Sequence, residues 1–160
     1  MVVIMMGVTG SGKTTIGQLL ARQLNWKFYD ADEFHPPANI EKMHAGIALT
    51  DEDRVPWLES LRDLVKRLLE QNTDGVLACS ALRENYREYL LIDDRVKLIY
   101  LKGDFRLIKD RLRKRRNHFM NPGLLQSQFD TLEEPRAGIP IDIAPSPKVI
   151  VRNIRAALNV

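Results

Sequence analysis

Eight residues near the start, Gly7-Val8-Thr9-Gly10-Ser11-Gly12-Lys13-Thr14, restrict this chain more than any others. They fit G-x-x-x-x-G-K-[ST], a loop whose backbone N–H groups cradle phosphate. Such a loop needs a strand before it and a helix after it, and the flanks supply both. Val2-Val3-Ile4-Met5-Met6 is a short apolar run that reads as a buried strand. After the loop, Ile16, Leu19, Leu20 and Leu24 keep a helical spacing. Gly7, Gly10 and Gly12 let the backbone turn its amides toward an anion, and the helix N-terminus adds its positive end. Lys13 reaches the terminal phosphates and the Thr14 hydroxyl coordinates Mg²⁺. Thr9, Ser11 and Thr15 complete the expected nucleotide contacts, so ATP and Mg²⁺ are the implied cofactors.

A length of 160 residues suffices for one domain with a sizeable core. The net charge of +3 is mild and does not imply nucleic acid; it suits equally a protein that handles small anions. Cys79 is the only cysteine, which excludes a disulfide framework, and His35, His44 and His118 have no metal-ligand spacing. No apolar stretch approaches a membrane span and no leader segment precedes the first strand, so the expectation is a cytoplasmic protein without membrane or nucleic-acid partners.

Further strands are expected at residues 27–30, 76–79, 96–101 and 139–143. Thr50-Asp51-Glu52-Asp53 reads as a helix cap, followed by Trp57, Leu58, Leu61, Leu64, Val65, Leu68 and Leu69 on one face. Asp104 caps a helix through Arg116, and a last helix from about Pro147 carries Val149, Ile150, Ile154, Ala157 and Leu158. This alternation predicts a parallel sheet covered on both faces. Ligands then gather at the carboxyl ends of the strands. Four polar segments should face one crevice there: residues 7–14, 30–32, 80–83 and 102–104.

Asp30 and Asp32 stand two apart, which in extended chain points them the same way. One carboxylate near Mg²⁺ and one near a substrate hydroxyl is what phosphoryl transfer needs. The competing reading makes Asp32 a turn cap. Arg111 and Arg115 form an i,i+4 pair that could close over the phosphates, whereas Arg113, Lys114 and Arg116 read as a solvated face. Trp57 reads as core, and Cys79 as a buried inert thiol.

From about residue 3 to 145 the chain resembles the gluconate kinases of the thermoresistant gluconokinase type. One block aligns as Asp30, Asp32, His35, Asn39, Lys42, Met43, Gly46, Leu49, Asp51, Asp53, Arg54, Pro56, Trp57 and Leu58. Another runs from Cys79 to Arg83 with Tyr86 and Arg87; a lid block follows at Arg111, Arg115, His118 and Phe119. A last block is Leu125, Ser127, Gln128, Phe129, Leu132, Glu133 and Pro135. Ala48 replaces a common Pro, Asn117 a frequent Gly, and Asn121 lies in a variable part of the lid.

The resemblance implies a P-loop kinase fold in one domain over residues 1–160. The sheet would be five-stranded and parallel, in order 2-3-1-4-5, with a helical lid at about 116–127. It implies ATP-dependent phosphorylation of D-gluconate at the 6-hydroxyl by a homodimer. Lys13, Asp32 and Arg115 would be catalytic, and Thr14 and Asp30 would hold the metal. Asp32, His35, Lys42, Arg54 and Arg83 would bind substrate; a guanidinium can hold a carboxylate with two bonds, an ammonium cannot. The alternatives are a kinase of another small hydroxylated anion, such as shikimate, or a non-catalytic nucleotide-binding module. Shikimate kinases carry a Gly-rich turn where this chain has Cys79-Ser80-Ala81-Leu82-Arg83, and retention of Asp30 and Asp32 beside Lys13 argues against a module without activity.

Overall fold

Strand β1, Val2–Met6, has no solvent-exposed residue, and its alternating side chains build two cores at once. Val2, Ile4 and Met6 point into one hydrophobic cluster, Val3 and Met5 into the other. Such a continuous apolar run is what a central parallel strand covered on both faces requires. The computed structural model describes residues 1–115 and 122–160. Around β1 stand β2 (Lys27–Asp30), β3 (Gly75–Ala78), β4 (Val96–Lys102) and β5 (Ile139–Asp142), all parallel, in the order β2-β3-β1-β4-β5.

One face is covered by α3 (Asp51–Glu70), which buries Trp57, Leu58, Leu61, Leu64, Val65, Leu68 and Leu69, the stripe expected from its spacing. A capping box starts it: the Asp53 N–H donates to the Thr50 hydroxyl and the Thr50 N–H to the Asp53 carboxylate. The other face is covered by α1 (Lys13–Leu24), α5 (Phe105–Lys114) and α7 (Pro147–Leu158). In α7 the buried face is Ile150, Val151, Ile154 and Leu158; Ala157, expected inward, is exposed, and its neighbour Leu158 takes the core side of the last turn.

Several elements lacked a clear periodic signal. A 3-10 turn spans Ala31–Phe34, α2 is Pro37–His44, α4 is Glu84–Glu88 and α6 is Pro122–Thr131. Helix α5 ends at Lys114, two residues before the expected Arg116, and Arg115 is extended (φ −80°, ψ 109°). Of the expected lid, His118 and Phe119 lie outside the described residues, as do Arg116, Asn117 and Asn121, while α6 forms its later part. Among the described residues no helix is long and apolar enough to cross a membrane.

Candidate active site

The glycine loop leaves β1 and enters α1 through two left-handed residues, Gly10 (φ 76°) and Gly12 (φ 96°). A Cβ on Gly10 would also run into Leu112 of α5, so this position needs both the conformation and the space of glycine. Gly12 is the N-cap of α1 and brings no side chain to it. The first-turn amides of α1 are therefore left for an outside acceptor, at the positive end of the helix. Gly7 sits at the foot of the loop beside Ser11, whose buried hydroxyl has no partner among the described residues.

A cavity of about 350 Å³ opens over this loop. Thr9, Gly10, Gly12, Lys13, Thr14 and Thr15 line it from the loop, Asp30 and Asp32 from the end of β2, and Arg115 from beyond α5. The strand order explains the meeting: β3 lies between β1 and β2, so the ends of all three open on one side. Lys102, Gly103 and Asp104, expected in the same crevice, line a separate hollow with Phe105 and Phe129. They follow β4, on the far side of β1.

Lys13 Nζ donates to the Val8 carbonyl at 3.0 Å. Burial pushes its ammonium down to about 8, against the pull of Asp32 and Asp30. The two aspartates do not continue one extended strand, as their spacing had suggested. Asp30 caps the 3-10 turn, accepting the Asp32 N–H at 2.9 Å, so the cap is Asp30 and not Asp32. Desolvation raises Asp32, the neighbouring Asp30 carboxylate raises it further, and His35 and Lys13 oppose both. Cys79 lines the cavity as a buried thiol pushed up to about 12, which keeps it protonated and inert.

A second hollow of about 440 Å³ flanks the loop on its other side, lined by Gly10, Gly12, Thr15, Arg111, Arg115 and residues 144–147. Arg111 donates to the Ala144 carbonyl at 3.2 Å. Arg115 lines both hollows, so leaving the helix does not take it from the site.

Of the five expected substrate residues only Asp32 lines the first cavity; the other four lie outside its lining, in different settings. His35 stacks on Trp57 (4.4 Å between ring centres, 12° between planes) and contacts the buried Asn39 amide at 3.3 Å. Trp57 is thus more than core: its indole N–H donates to Ala31 at 2.7 Å and fixes the turn that carries Asp32. Lys42 is engaged by both oxygens of Asp53 at 2.9 Å, which ties α2 to the cap of α3. Backbone and Lys42 hydrogen bonds hold Asp53 down at about 2. Arg54 donates to the Leu49 carbonyl at 2.9 Å and lies over the Tyr86 ring. Arg83 is exposed and its side chain has no hydrogen bond or ion pair among the described residues.

Two polar residues of the cavity had been given no role, although Ser80 falls in a segment expected at the crevice. Ser80 lines it just after β3, and Gln128 of α6 lines it while accepting the Thr9 N–H at 2.6 Å. Gln128 stands in the Leu125-to-Pro135 block of the resemblance, but only the fold shows that its amide crosses to the loop.

The shikimate kinase family matches residues 9–144. A probable gluconokinase of Mus musculus is 46% identical over 154 residues, 85% of this chain and 84% of the relative. A gluconokinase of Arabidopsis thaliana is 46% identical over 170 residues, 96% of this chain and 89% of the relative. The chain belongs to the gluconokinase family of P-loop kinases. A solved gluconokinase of Sinorhizobium meliloti 1021 overlays with a TM-score of 0.85 at 38% identity, over 98% of this chain and 90% of that one. A shikimate kinase of Aquifex aeolicus vf5 overlays with a TM-score of 0.69 at 21% identity, over 99% and 96%, a likeness of fold alone.

Proposed function

We propose that this gluconokinase-family chain phosphorylates D-gluconate at its 6-hydroxyl with ATP, giving 6-phospho-D-gluconate and ADP. The observation that carries the reading is the cavity in which Lys13, Asp30 and Asp32 meet over the glycine loop. The 6-oxygen attacks the γ-phosphorus, the bond from that phosphorus to the β–γ bridging oxygen breaks, and Asp32 orients the hydroxyl and takes its proton. A carboxylate raised by desolvation suits that task, because it holds a proton more strongly than a solvated one.

Loop amides and Lys13 cradle the phosphates, Arg115 reaches them from beyond α5, and Arg111 lines the hollow suited to the rest of the nucleotide. The donor set also suits Mg²⁺, which keeps most of its ligands as phosphate oxygens and water. The Thr14 hydroxyl and one Asp30 oxygen would hold it, and it would neutralise charge on the transferring phosphoryl.

Gluconate also needs a cation for its carboxylate. Lys42 is already engaged by Asp53, and His35 is lowered by burial and so neutral near pH 7. Arg83, whose side chain has no hydrogen bond or ion pair among the described residues, is the best candidate, with Arg54 second. One domain over residues 1–160 with a lid at about 116–127, a homodimer and a cytoplasmic location complete the proposal; light scattering tests the dimer.

The deciding assay is ADP release with gluconate, shikimate, glycerate and nucleoside monophosphates as acceptors. Gluconate should dominate. ADP release driven by shikimate would replace the proposed substrate, and release by none of the four would end the proposal.

A further inference from the structure

Arg87 has no part in the reaction just described, yet it is among the largest side chains the protein buries completely, at 2% exposure. A buried guanidinium is costly unless its donors are used. From α4, Nη1 donates to the Ala81 carbonyl at 2.8 Å and Nη2 to a Glu84 carboxylate oxygen at 3.0 Å. Nη1 also lies 3.9 Å from the Met6 sulfur at the end of β1. The principal neutral partner is thus one backbone carbonyl in the loop that follows β3.

That carbonyl belongs to a strained residue. Ala81 has φ 44°, a left-handed conformation that its Cβ disfavours, and it is buried. Such a backbone persists only where its surroundings over-determine it. On one side of Ala81 is Ser80, which lines the cavity; on the other are Leu82 and Arg83. The Leu82 carbonyl accepts the Glu133 N–H at 2.8 Å, just past α6. One turn therefore sets the cavity residue Ser80, the exposed Arg83 and a backbone anchor just past α6.

We infer that Arg87 is a positioning residue: its buried guanidinium clamps the Ala81 carbonyl, holds the left-handed turn, and so places Ser80 and Arg83 for the acceptor. The inference rests on the proposed acceptor chemistry, but the clamp itself is independent of which acceptor is used.

The test compares Arg87→Lys, Arg87→Met, Ala81→Gly and the Arg87→Met/Ala81→Gly pair in the full-length protein. Arg87→Lys keeps the charge and loses the two-armed geometry. It should raise the KM for gluconate by about 10-fold or more, the range for a lost charge-assisted bond, while the KM for ATP moves less than about twofold. Hydrogen exchange at residues 80–83 should quicken with the sheet amides unchanged. Ala81→Gly takes the turn without strain, so it should leave wild-type kinetics nearly intact and recover part of the KM lost in Arg87→Met. Should Arg87→Met not fold, Arg87→Lys carries the comparison alone.

A lower melting temperature with both KM values unchanged, or exchange that quickens uniformly, would make Arg87 a fold-stabilising residue only and overturn the inference. Wild-type protein that ignores gluconate would sink the proposed substrate instead. The local exchange pattern would then still decide on the clamp.

Discussion

Replacing Lys13 with Met should make the empty protein more stable while removing its activity. Burial takes the ammonium from an ordinary 10.5 to about 8. At about 1.4 kcal/mol for each tenfold change in proton affinity, keeping it charged in the empty loop costs about 3 kcal/mol. Met has a similar unbranched stem and no charge, but it forfeits the bond to the Val8 carbonyl, worth about 1.5 kcal/mol. The net gain is about 1.5 kcal/mol, or roughly 3–6 °C in melting temperature for a domain of this size. The pH dependence identifies the cause. A lysine whose folded pKa is lowered penalises the fold fully below about 8; the penalty fades as pH rises toward 10.5 and is absent above it. Thermal melts of Lys13→Met and wild type should therefore converge between pH 8 and 10.5. Turnover should fall by about 10²–10³, the loss expected for one oriented transition-state contact, and ATP should stabilise wild type more than the variant. A variant that melts at or below wild type at pH 7, with a gap that pH does not move, would refute the account of a desolvated, unpaired ammonium.

Asp32→Asn should cut kcat by about 10²–10⁴ and raise the melting temperature at pH 7. Its folded pKa is raised, so the stability it contributes belongs to the protonated form and is lost as pH rises; melts at pH 7 and pH 4 should show the advantage of Asn shrinking in acid. Arg83→Ala should raise the KM for gluconate by about 10–100-fold with little effect on ATP; an equal rise for both would move Arg83 to the phosphates, and an effect confined to Arg54→Ala would move the carboxylate there. Gln128→Ala breaks the 2.6 Å bond between α6 and the loop, so the Thr9 amide should exchange about tenfold faster, the worth of one neutral hydrogen bond. Unchanged Thr9 exchange would mean that α6 is not anchored there.

The centre of the sheet was legible because β1 and β3 are apolar and buried on both sides. Val2–Met6 carries nothing polar. The stripe of α3 was equally plain, since seven apolar residues repeat along it. What escaped lies where local chemistry, not periodicity, sets the chain. The turn at Ala31–Phe34 is made by the Asp30 carboxylate and the Trp57 indole, the latter from 26 residues away. Helix α4 has only five residues, too few for a periodic signal, and its placement depends on Arg87 finding a carbonyl inside the protein. That the loop lysine, both aspartates and Arg115 would meet was legible from their spacing and types, and all four line one cavity. The engagement of Lys42 by Asp53 was not: a lysine in a substrate-like block reads the same whether or not a carboxylate already holds it.

The proposed mechanism sets a pH window, because the cavity moves Lys13 and Asp32 toward each other. In that mechanism Lys13 keeps its proton to neutralise phosphate, and Asp32 loses its own to accept one. Burial lowers the first to about 8 and raises the second from 3.8. The profile of kcat/KM for ATP reports the enzyme before nucleotide binds, so its basic limb should fall near 8. Bound phosphates favour the ammonium, so the basic limb of kcat should lie at higher pH. Neither the Cys79 thiol, pushed up to about 12, nor His35, lowered from 6.5, accounts for such a limb. Lys13→Arg, whose guanidinium does not deprotonate in proteins, should erase the limb from whatever activity remains. A limb near 8 that survives in Lys13→Arg, or one that sits at the same pH in kcat and kcat/KM, would assign the titration to another group and leave the lysine charge without a role in phosphate binding.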